Sequence, residues 1–246
     1  MQLSLRFLVV TTSLFFSRSA SCQDTIARKT TRNIATVGSV SLIYAGTMSV
    51  LYNTWYRQYD QEPFHFFDDS KEWRGMDKLG HATTSWWTSQ WLKETFEVAG
   101  YSEKSARLYG TIVPLAFLST VEIFDGFSSG WGFSGTDMLA NLAGSSLFFT
   151  QDLLFSGQKA LLRYSYHSTP LRKIRPELLG ENQFAAALKD YNGQTYWLSL
   201  PLKPLFGNEK QFPEFLCISI GYGAGGMLGG DDNIWFQDNK QFDYTA

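Results

Sequence analysis

Seven polar residues that could act together occur in three short groups along the chain. They are Asp77, Lys78, His81, Glu122, Asp125, Asp137 and Asn141. Asp77 and His81 are four positions apart, as are Asp137 and Asn141. Because residues three or four positions apart share one face of an α-helix, each group would project from one side of a helix. The spacing therefore predicts three helices that contribute to a single polar cluster.

This cluster contains the residue types of a cation site. His81 could supply a nitrogen ligand, Glu122 or Asp137 could supply oxygen ligands, and Asp77 would be a further carboxylate. A divalent metal ion is accordingly the one cofactor considered, and no other cofactor is predicted.

Two other interpretations fit the same residues. In a catalytic site, His81 and Glu122 would be acid–base partners, and Lys78 would contact an anionic group. In a structural network, Lys78 would instead neutralise the carboxylates, since a buried charge needs a partner. The sequence contains no Walker loop, nucleophile elbow or zinc-protease motif, so it favours a non-enzymatic role over an enzyme. All three interpretations stay open.

The segments that carry these residues have the pattern of bundle helices. Residues 77–99, 101–124 and 137–155 combine charged ends with an apolar middle. Antiparallel packing through short loops would bring their polar groups to one end of a bundle.

Two further regions complete the predicted fold. Residues 33–56 are uncharged and long enough to span a bilayer, although a buried central helix would show the same pattern. Near the C-terminus, "GQTYWLSLPL" and "PEFLCISIGYGAGG" alternate as strands do. We predict a mainly α protein with a bundle of about four to five helices, one of membrane-span length, and a short β-like C-terminal segment.

The N-terminus predicts export. Residues 1–22 combine a basic residue, an apolar run and small residues before Cys22, as secretory signal peptides do. Plain cleavage near this point and attachment of a lipid to Cys22 are alternatives. The predicted domains are the signal peptide, a helical domain with the polar cluster at 23–160, and a connector with a strand-like region at 161–246.

The composition limits the functional classes. Charged residues make up 18% and aromatic residues 16% of the chain, a mixture that suits helices packed on each other or on lipid. The mean hydropathy of -0.18 argues against a protein that is wholly embedded in a membrane. The net charge of -2 and the lack of interleaved basic and aromatic residues exclude nucleic acid as a predicted partner.

The motifs around the cluster suggest a family. Over roughly residues 60–155, "EWRGMDKLGHATTS" and "STVEIFDGFSSGWGFSGTDMLANLAG" resemble the uncharacterised family that includes the predicted periplasmic lipoprotein YfiM. A more distant likeness is to VanZ-like membrane proteins, which share the order of the Asp-Lys-His, Glu and Asp-Asn groups. These resemblances imply a place in the cell envelope and bring no established reaction.

The sequence thus predicts an exported, membrane-associated envelope protein on the periplasmic side of the inner or outer membrane. Its cluster would be structural or would bind a small ligand or ion. Alternatives are a hydrolase or transferase acting on lipid or cell-wall intermediates, and an assembly partner of an outer-membrane protein. The predicted partners are membrane lipid and an envelope protein.

Overall fold

The structure, a computed structural model, describes residues 26–57, 59–203, 213, 215–237 and 240–243. The predicted signal peptide and Cys22 lie outside the described residues.

Four long helices come first along the described chain. They are α1 (Ile26–Leu51), α2 (Met76–Val98), α3 (Glu103–Asp125) and α4 (Gly135–Phe155). Serines cap α3 and α4: Ser102 accepts a hydrogen bond from the backbone N–H of Ser105, and Ser134 accepts one from that of Asp137. Such caps satisfy N–H groups that the helix itself leaves unpaired. Helices α2, α3 and α4 pack together as the predicted bundle.

Small residues bring α2 and α4 close together. A Cβ atom at Gly144 would overlap the carbonyl oxygen of Ala82. The Oγ atoms of Ser85 and Ser145 are 2.6 Å apart, and Ser85 also donates to the carbonyl oxygen of Asn141 at 2.7 Å. This close contact fixes the N-terminal half of α2 relative to the middle of α4.

A left-handed turn immediately before α2 sets the direction in which this helix begins. Trp73, Arg74 and Gly75 have φ values of 49°, 52° and 76°. Such values are rare for residues other than glycine, so other contacts must hold the turn. The N–H of Trp73 donates to Gly230 at 2.8 Å, and the Tyr222 hydroxyl donates to the carbonyl of Arg74 at 2.9 Å. The C-terminal region therefore fixes the direction in which α2 leaves the turn.

That region contains short helices and strands. The elements are β1 (Leu161–Tyr166), α5 (Pro176–Leu179), α6 (Gln183–Lys189), β2 (Gln194–Pro201), β3 (Cys217–Tyr222), β4 (Ile234–Gln237) and β5 (Lys240–Asp243). Strands β1, β2 and β3 form an antiparallel sheet in that order, and β4 pairs with β5. The predicted connector thus begins with a strand. Trp87 of α2 donates its indole N–H to Leu162 at 2.7 Å, which joins sheet and bundle.

The predicted fold class is confirmed, with one difference. Two helices of the described chain, rather than one, are long and apolar enough to cross a membrane by length and composition: Thr30–Asn53 and Glu103–Asp125. The second was predicted as a bundle helix, because the uncharged middle between its charged ends is shorter than a membrane span. In the structure, these charges lie at the two ends of α3.

Candidate functional site

The helix ends bring the predicted residues together. Asp77, Lys78 and His81 lie in the first turns of α2. Glu122 lies in the last turn of α3 and Asp137 in the first turn of α4, and both approach His81. The three polar groups therefore meet at one end of the bundle, as antiparallel helices require.

Lys78 is surrounded by carboxylates. Its Nζ lies 2.8 Å from Asp69 Oδ2, 2.9 Å from Asp77 Oδ2 and 2.6 Å from Asp137 Oδ1. This arrangement joins the start of α2, the start of α4 and the loop before α2 that contains Asp69. Lys78 thus has the neutralising position that a structural network requires.

His81 contacts the other carboxylate oxygens. Its Nε2 lies 3.7 Å from Asp77 Oδ1 and 3.7 Å from Asp137 Oδ2. On the opposite side of the ring, Nδ1 lies 3.2 Å from Asn141 Oδ1. Since an amide oxygen only accepts, this contact places a proton on Nδ1. In the neutral ring, Nε2 is then a free acceptor that faces two carboxylates.

Two deeply buried groups lie behind His81. Glu122 is 1% exposed, and its Oε1 lies 3.6 Å from His81 Nδ1. Neither Glu122 Oε1 nor the Nδ2 of the buried Asn141 has a hydrogen-bond partner among the described residues. Buried polar atoms without partners cost stability, so they point to a need beyond packing.

Asp125 lies at the edge of the group. It accepts a hydrogen bond of 2.8 Å from the hydroxyl of Tyr56, which follows α1. Its described contacts thus lead toward α1, and it does not join the Lys78 and His81 contacts directly. The structure therefore divides the seven predicted residues into a compact set of six and one peripheral carboxylate.

Asp69 was missed as a member of the cluster. It accepts hydrogen bonds from the hydroxyls of Ser134 and Thr136, at 2.6 and 2.8 Å. Burial alone would raise the pKa of Asp69, but its hydrogen bonds with Asp137, Lys78 and these hydroxyls lower it below the usual range. Asp69 therefore stays charged. Its sequence signal was weak because it lies in a loop without periodicity.

Tyr191 is the second missed residue. Its hydroxyl donates to Asp77 Oδ1 at 2.6 Å, and its ring packs on Trp73 with centroids 5.2 Å apart. Burial and the neighbouring Asp77 raise the pKa of Tyr191 well above its usual value, so it stays a donor. The contact joins residues that are 114 positions apart, and no local pattern could have predicted it.

Glu72 lies near the cluster, just before the left-handed turn. Burial, together with Asp231, Asp69 and Asp77, raises the pKa of Glu72 to about 7. Its carboxyl group packs against Gly230, where a Cβ would come within 2.8 Å of it. Glu72 thus ionises near neutral pH.

The remaining histidines lie elsewhere. His65 contacts backbone oxygens on both ring nitrogens, with Nε2 2.7 Å from Trp131 and Nδ1 3.2 Å from Pro63. It therefore holds loops together. His167 is exposed in the C-terminal region.

Two cavities of the described chain lie away from the cluster. Volumes of about 1400 and 470 Å³ lie along α1, and both are lined mainly by apolar residues of α1, α2 and α3. One ligand atom from each of Asp77, His81 and Asp137 lies within 4.8 Å of the others. These three atoms are therefore close enough together to bind one ion.

A comparison with known families gives a match for the part of the chain that carries the cluster. Residues 65–151 match the model of a family described as predicted periplasmic lipoprotein (DUF2279). The matched region runs from His65 into the C-terminal half of α4 and contains all seven predicted residues. Over these residues the match confirms the predicted resemblance to periplasmic lipoproteins, and with it the predicted place in the cell envelope, while the YfiM-like and VanZ-like resemblances stay predictions. No match was found among the curated proteins or among the solved structures.

Proposed function

We propose that this envelope protein binds a divalent cation through Asp77, His81 and Asp137. The observation that carries the proposal is the position of His81 Nε2, 3.7 Å from one oxygen of each aspartate. A point equidistant from three such atoms lies about 2.0–2.4 Å from each, which is the length of metal–nitrogen and metal–oxygen bonds. A cation would thus fit with little movement of the side chains.

The two oxygens of each carboxylate, that of Asp77 and that of Asp137, have different neighbours. Asp77 Oδ2 and Asp137 Oδ1 contact Lys78, whereas Asp77 Oδ1 and Asp137 Oδ2 face His81. Lys78 therefore orients both carboxylates without occupying the oxygens that would bind the ion. The structural and ion-binding interpretations are compatible for this reason.

The other side of His81 has the support that metal-binding histidines usually have. Such a ring donates its second N–H to an oxygen, which fixes its orientation and raises its basicity. Asn141 Oδ1 accepts in this way at 3.2 Å, and Glu122 lies 3.6 Å from the same nitrogen. One nitrogen and two oxygen ligands suit transition metals such as Zn²⁺ or Mn²⁺ better than Mg²⁺.

The experiment is a titration of the purified full-length mature protein with Zn²⁺ and Mn²⁺ by calorimetry. We expect binding of one ion per chain, and at least about 100-fold weaker binding in His81→Gln and Asp137→Asn, which lose a ligand. His167→Gln is the matched control, because it removes an exposed histidine elsewhere. Circular dichroism would show that the variants are folded. Absence of binding to the unsubstituted protein, or equal binding by folded His81→Gln, would overturn the proposal.

Membrane association is the second part of the proposed function. The apolar window of α1 has no buried residue among the described residues, and its length suits a bilayer. A lipid on Cys22 would add to this anchoring. Release of the mature protein by alkaline carbonate would contradict it. The predicted envelope-protein partner stays a prediction.

A catalytic role is the second candidate function. His81 is partly exposed, with 22% of its side chain accessible, and Glu122 lies behind it. A metal held by three protein ligands also keeps positions open for water or substrate. Lipid and cell-wall intermediates from cells with the unsubstituted protein or His81→Gln can be compared by mass spectrometry. Identical profiles would remove this candidate.

A further inference from the structure

We propose that α3 and α4 lie in the hydrocarbon of a membrane together with α1, so that the bundle itself is embedded. This inference rests on the proposed membrane association but is independent of cation binding. The supporting observation is the distribution of polar and apolar residues in the bundle, which is the reverse of that in a water-soluble helical protein.

The outer face of α4 is uncharged and mostly apolar, with Ser146 and Thr150 as its exposed polar residues between the exposed leucines. Leu139 is 66% and Leu154 65% exposed, and Leu142, Leu153 and Phe155 are exposed as well. No charged side chain interrupts this face between Leu139 and Phe155, because the one aspartate of that stretch, Asp152, is 2% exposed. In water, such a face would be covered by a partner or would cause aggregation.

The inner face of α4 is polar. Its buried residues are Asp137, Asn141, Gly144, Ser145, Phe148, Gln151 and Asp152. An amphipathic helix of a soluble protein turns its apolar stripe inward and its polar face outward. Helix α4 does the opposite, as expected when the surroundings are less polar than the interior of the bundle.

Helix α3 extends the apolar face to a second side of the bundle. Leu108, Ile112, Ile123 and Phe124 are exposed. We call the exposed apolar surface of α3 and α4 the belt. It runs from Leu108 to Phe124 on α3 and from Leu139 to Phe155 on α4, and each stretch is about 24 Å long at the α-helical rise. Apolar bands of bacterial outer-membrane proteins are about 25 Å tall, and an average bilayer core is about 30 Å thick. The belt thus suits a thin bilayer.

Charges beyond the cluster also turn inward. Asp152 is bridged by Lys93 at 3.0 Å and by Arg107 at 2.6 Å. The side chains of Lys93 and Arg107 are 15% and 11% exposed. Charged residues of membrane helices pair with each other inside the bundle in this way.

The helix contacts have the character of membrane helix packing. Without a hydrophobic driving force in lipid, small residues that permit close backbone approach and interhelical hydrogen bonds hold helices together. Gly144 against Ala82 and Gly110 against Lys93 are such close approaches. The Ser85–Ser145 hydrogen bond is an interhelical polar contact.

Lipid is the occupant that fits all of these surfaces. A twofold contact with a second copy would cover one patch, whereas α1, α3 and α4 each carry exposed apolar residues. The cavities between α1 and the bundle are also lined mainly by apolar side chains, which acyl chains would contact. The C-terminal region would then lie outside the hydrocarbon, which agrees with the modest overall hydropathy.

The experiment places a fluorescent label on single cysteines of the full-length protein. Leu142→Cys and Ile112→Cys probe the belt, Leu42→Cys probes α1, and exposed Lys173→Cys is the control. The background carries Cys22→Ser and Cys217→Ser. In vesicles of brominated phosphatidylcholine, we expect about a two-fold loss of fluorescence at the belt and α1 positions and none at the control, because only the former share the hydrocarbon layer with bromine.

Quenching at position 42 alone would overturn the inference while leaving membrane association through α1 intact. Quenching at none of the four positions would overturn both. Disulfide cross-linking between copies through position 112 or 142, without quenching there, would assign the belt to a second copy and also overturn the inference. Cation binding is measured separately, so its failure would not affect this result.

Discussion

The Nζ of Lys78 lies 2.6 Å from Asp137 Oδ1, while the other oxygen of the same carboxylate faces His81 Nε2 at 3.7 Å. A single aspartate therefore connects the fixed cation of the cluster with the proposed ion site. Because the two contacts use different oxygens, removing one is not expected to remove the other. This separation makes the two roles distinguishable by experiment.

Lys78→Met should destabilise the protein. The substitution leaves Asp69, Asp77 and Asp137 without their shared cation, and removal of one partner of a buried ion pair costs about 3 kcal/mol. If the carboxylates also bind a divalent ion, added Zn²⁺ should restore part of the loss. Thermal unfolding in detergent with and without Zn²⁺ measures both effects.

Lys93→Met is the matched control for this prediction. Lys93 also contacts two carboxylates, Glu97 and Asp152, but at the other end of the bundle. We expect a loss of stability that Zn²⁺ does not reverse. Equal rescue of both variants would show that the ion acts elsewhere.

Much of the site could be predicted because it follows from helical spacing. Asp77 with His81 and Asp137 with Asn141 each share one helix face, and this local property is visible in the sequence. Antiparallel packing of α3 and α4 then brings the end of one helix to the start of the next. No further information was needed to predict that the three polar groups converge.

The features of the site that were not predicted depend on tertiary contacts, which leave no local pattern in the sequence. Asp69 lies in a loop and is defined as a member only by its partners Lys78, Ser134 and Thr136. Trp73 has a left-handed conformation and donates its N–H to the carbonyl oxygen of Gly230, which lies in a distant C-terminal loop. Such features arise from tertiary packing, which overrides the preferences of the individual residues.

Gly144→Ala should destabilise the bundle by about 1–3 kcal/mol, because the added methyl group overlaps the Ala82 carbonyl and forces α2 and α4 apart. Gly135→Ala is the control, since a Cβ there meets nothing within 4 Å. Thermal unfolding of the two variants in the same detergent measures the difference. Equal stability would contradict the close α2–α4 contact.

Ionisation of Glu72 should make stability depend on pH. Its pKa of about 7 in the folded protein lies above the value of about 4.3 expected in the unfolded chain. The folded state therefore holds this proton more tightly, and the stability it contributes is complete below the unfolded pKa and is lost as pH rises through about 7. We expect a loss of about 1 kcal/mol, discounted because the group is only half-buried.

Glu72→Gln should remove this dependence, so the variant would be more stable than the unsubstituted protein at about pH 8 and similar to it at about pH 4. Glu62→Gln changes an exposed carboxyl group in the same part of the chain and serves as control. Denaturant unfolding at several pH values provides the measurement. Identical pH profiles for Glu72→Gln and the unsubstituted protein would show that Glu72 does not titrate in this range.

Tyr191→Phe tests whether the C-terminal region supports the ion site. The hydroxyl donates to Asp77 Oδ1, the oxygen that faces His81, so its loss frees a proposed ligand to rotate. Loss of such a supporting contact typically weakens metal binding at least about 10-fold, and the missing hydrogen bond costs about 1 kcal/mol of stability. Tyr164→Phe loses a comparable bond, to the Ala187 carbonyl, away from the ligands. Both variants should therefore lose stability, but only Tyr191→Phe should bind Zn²⁺ more weakly in calorimetry. If affinity falls equally in both, Asp77 is not oriented by Tyr191, and the C-terminal region acts on the bundle through stability alone.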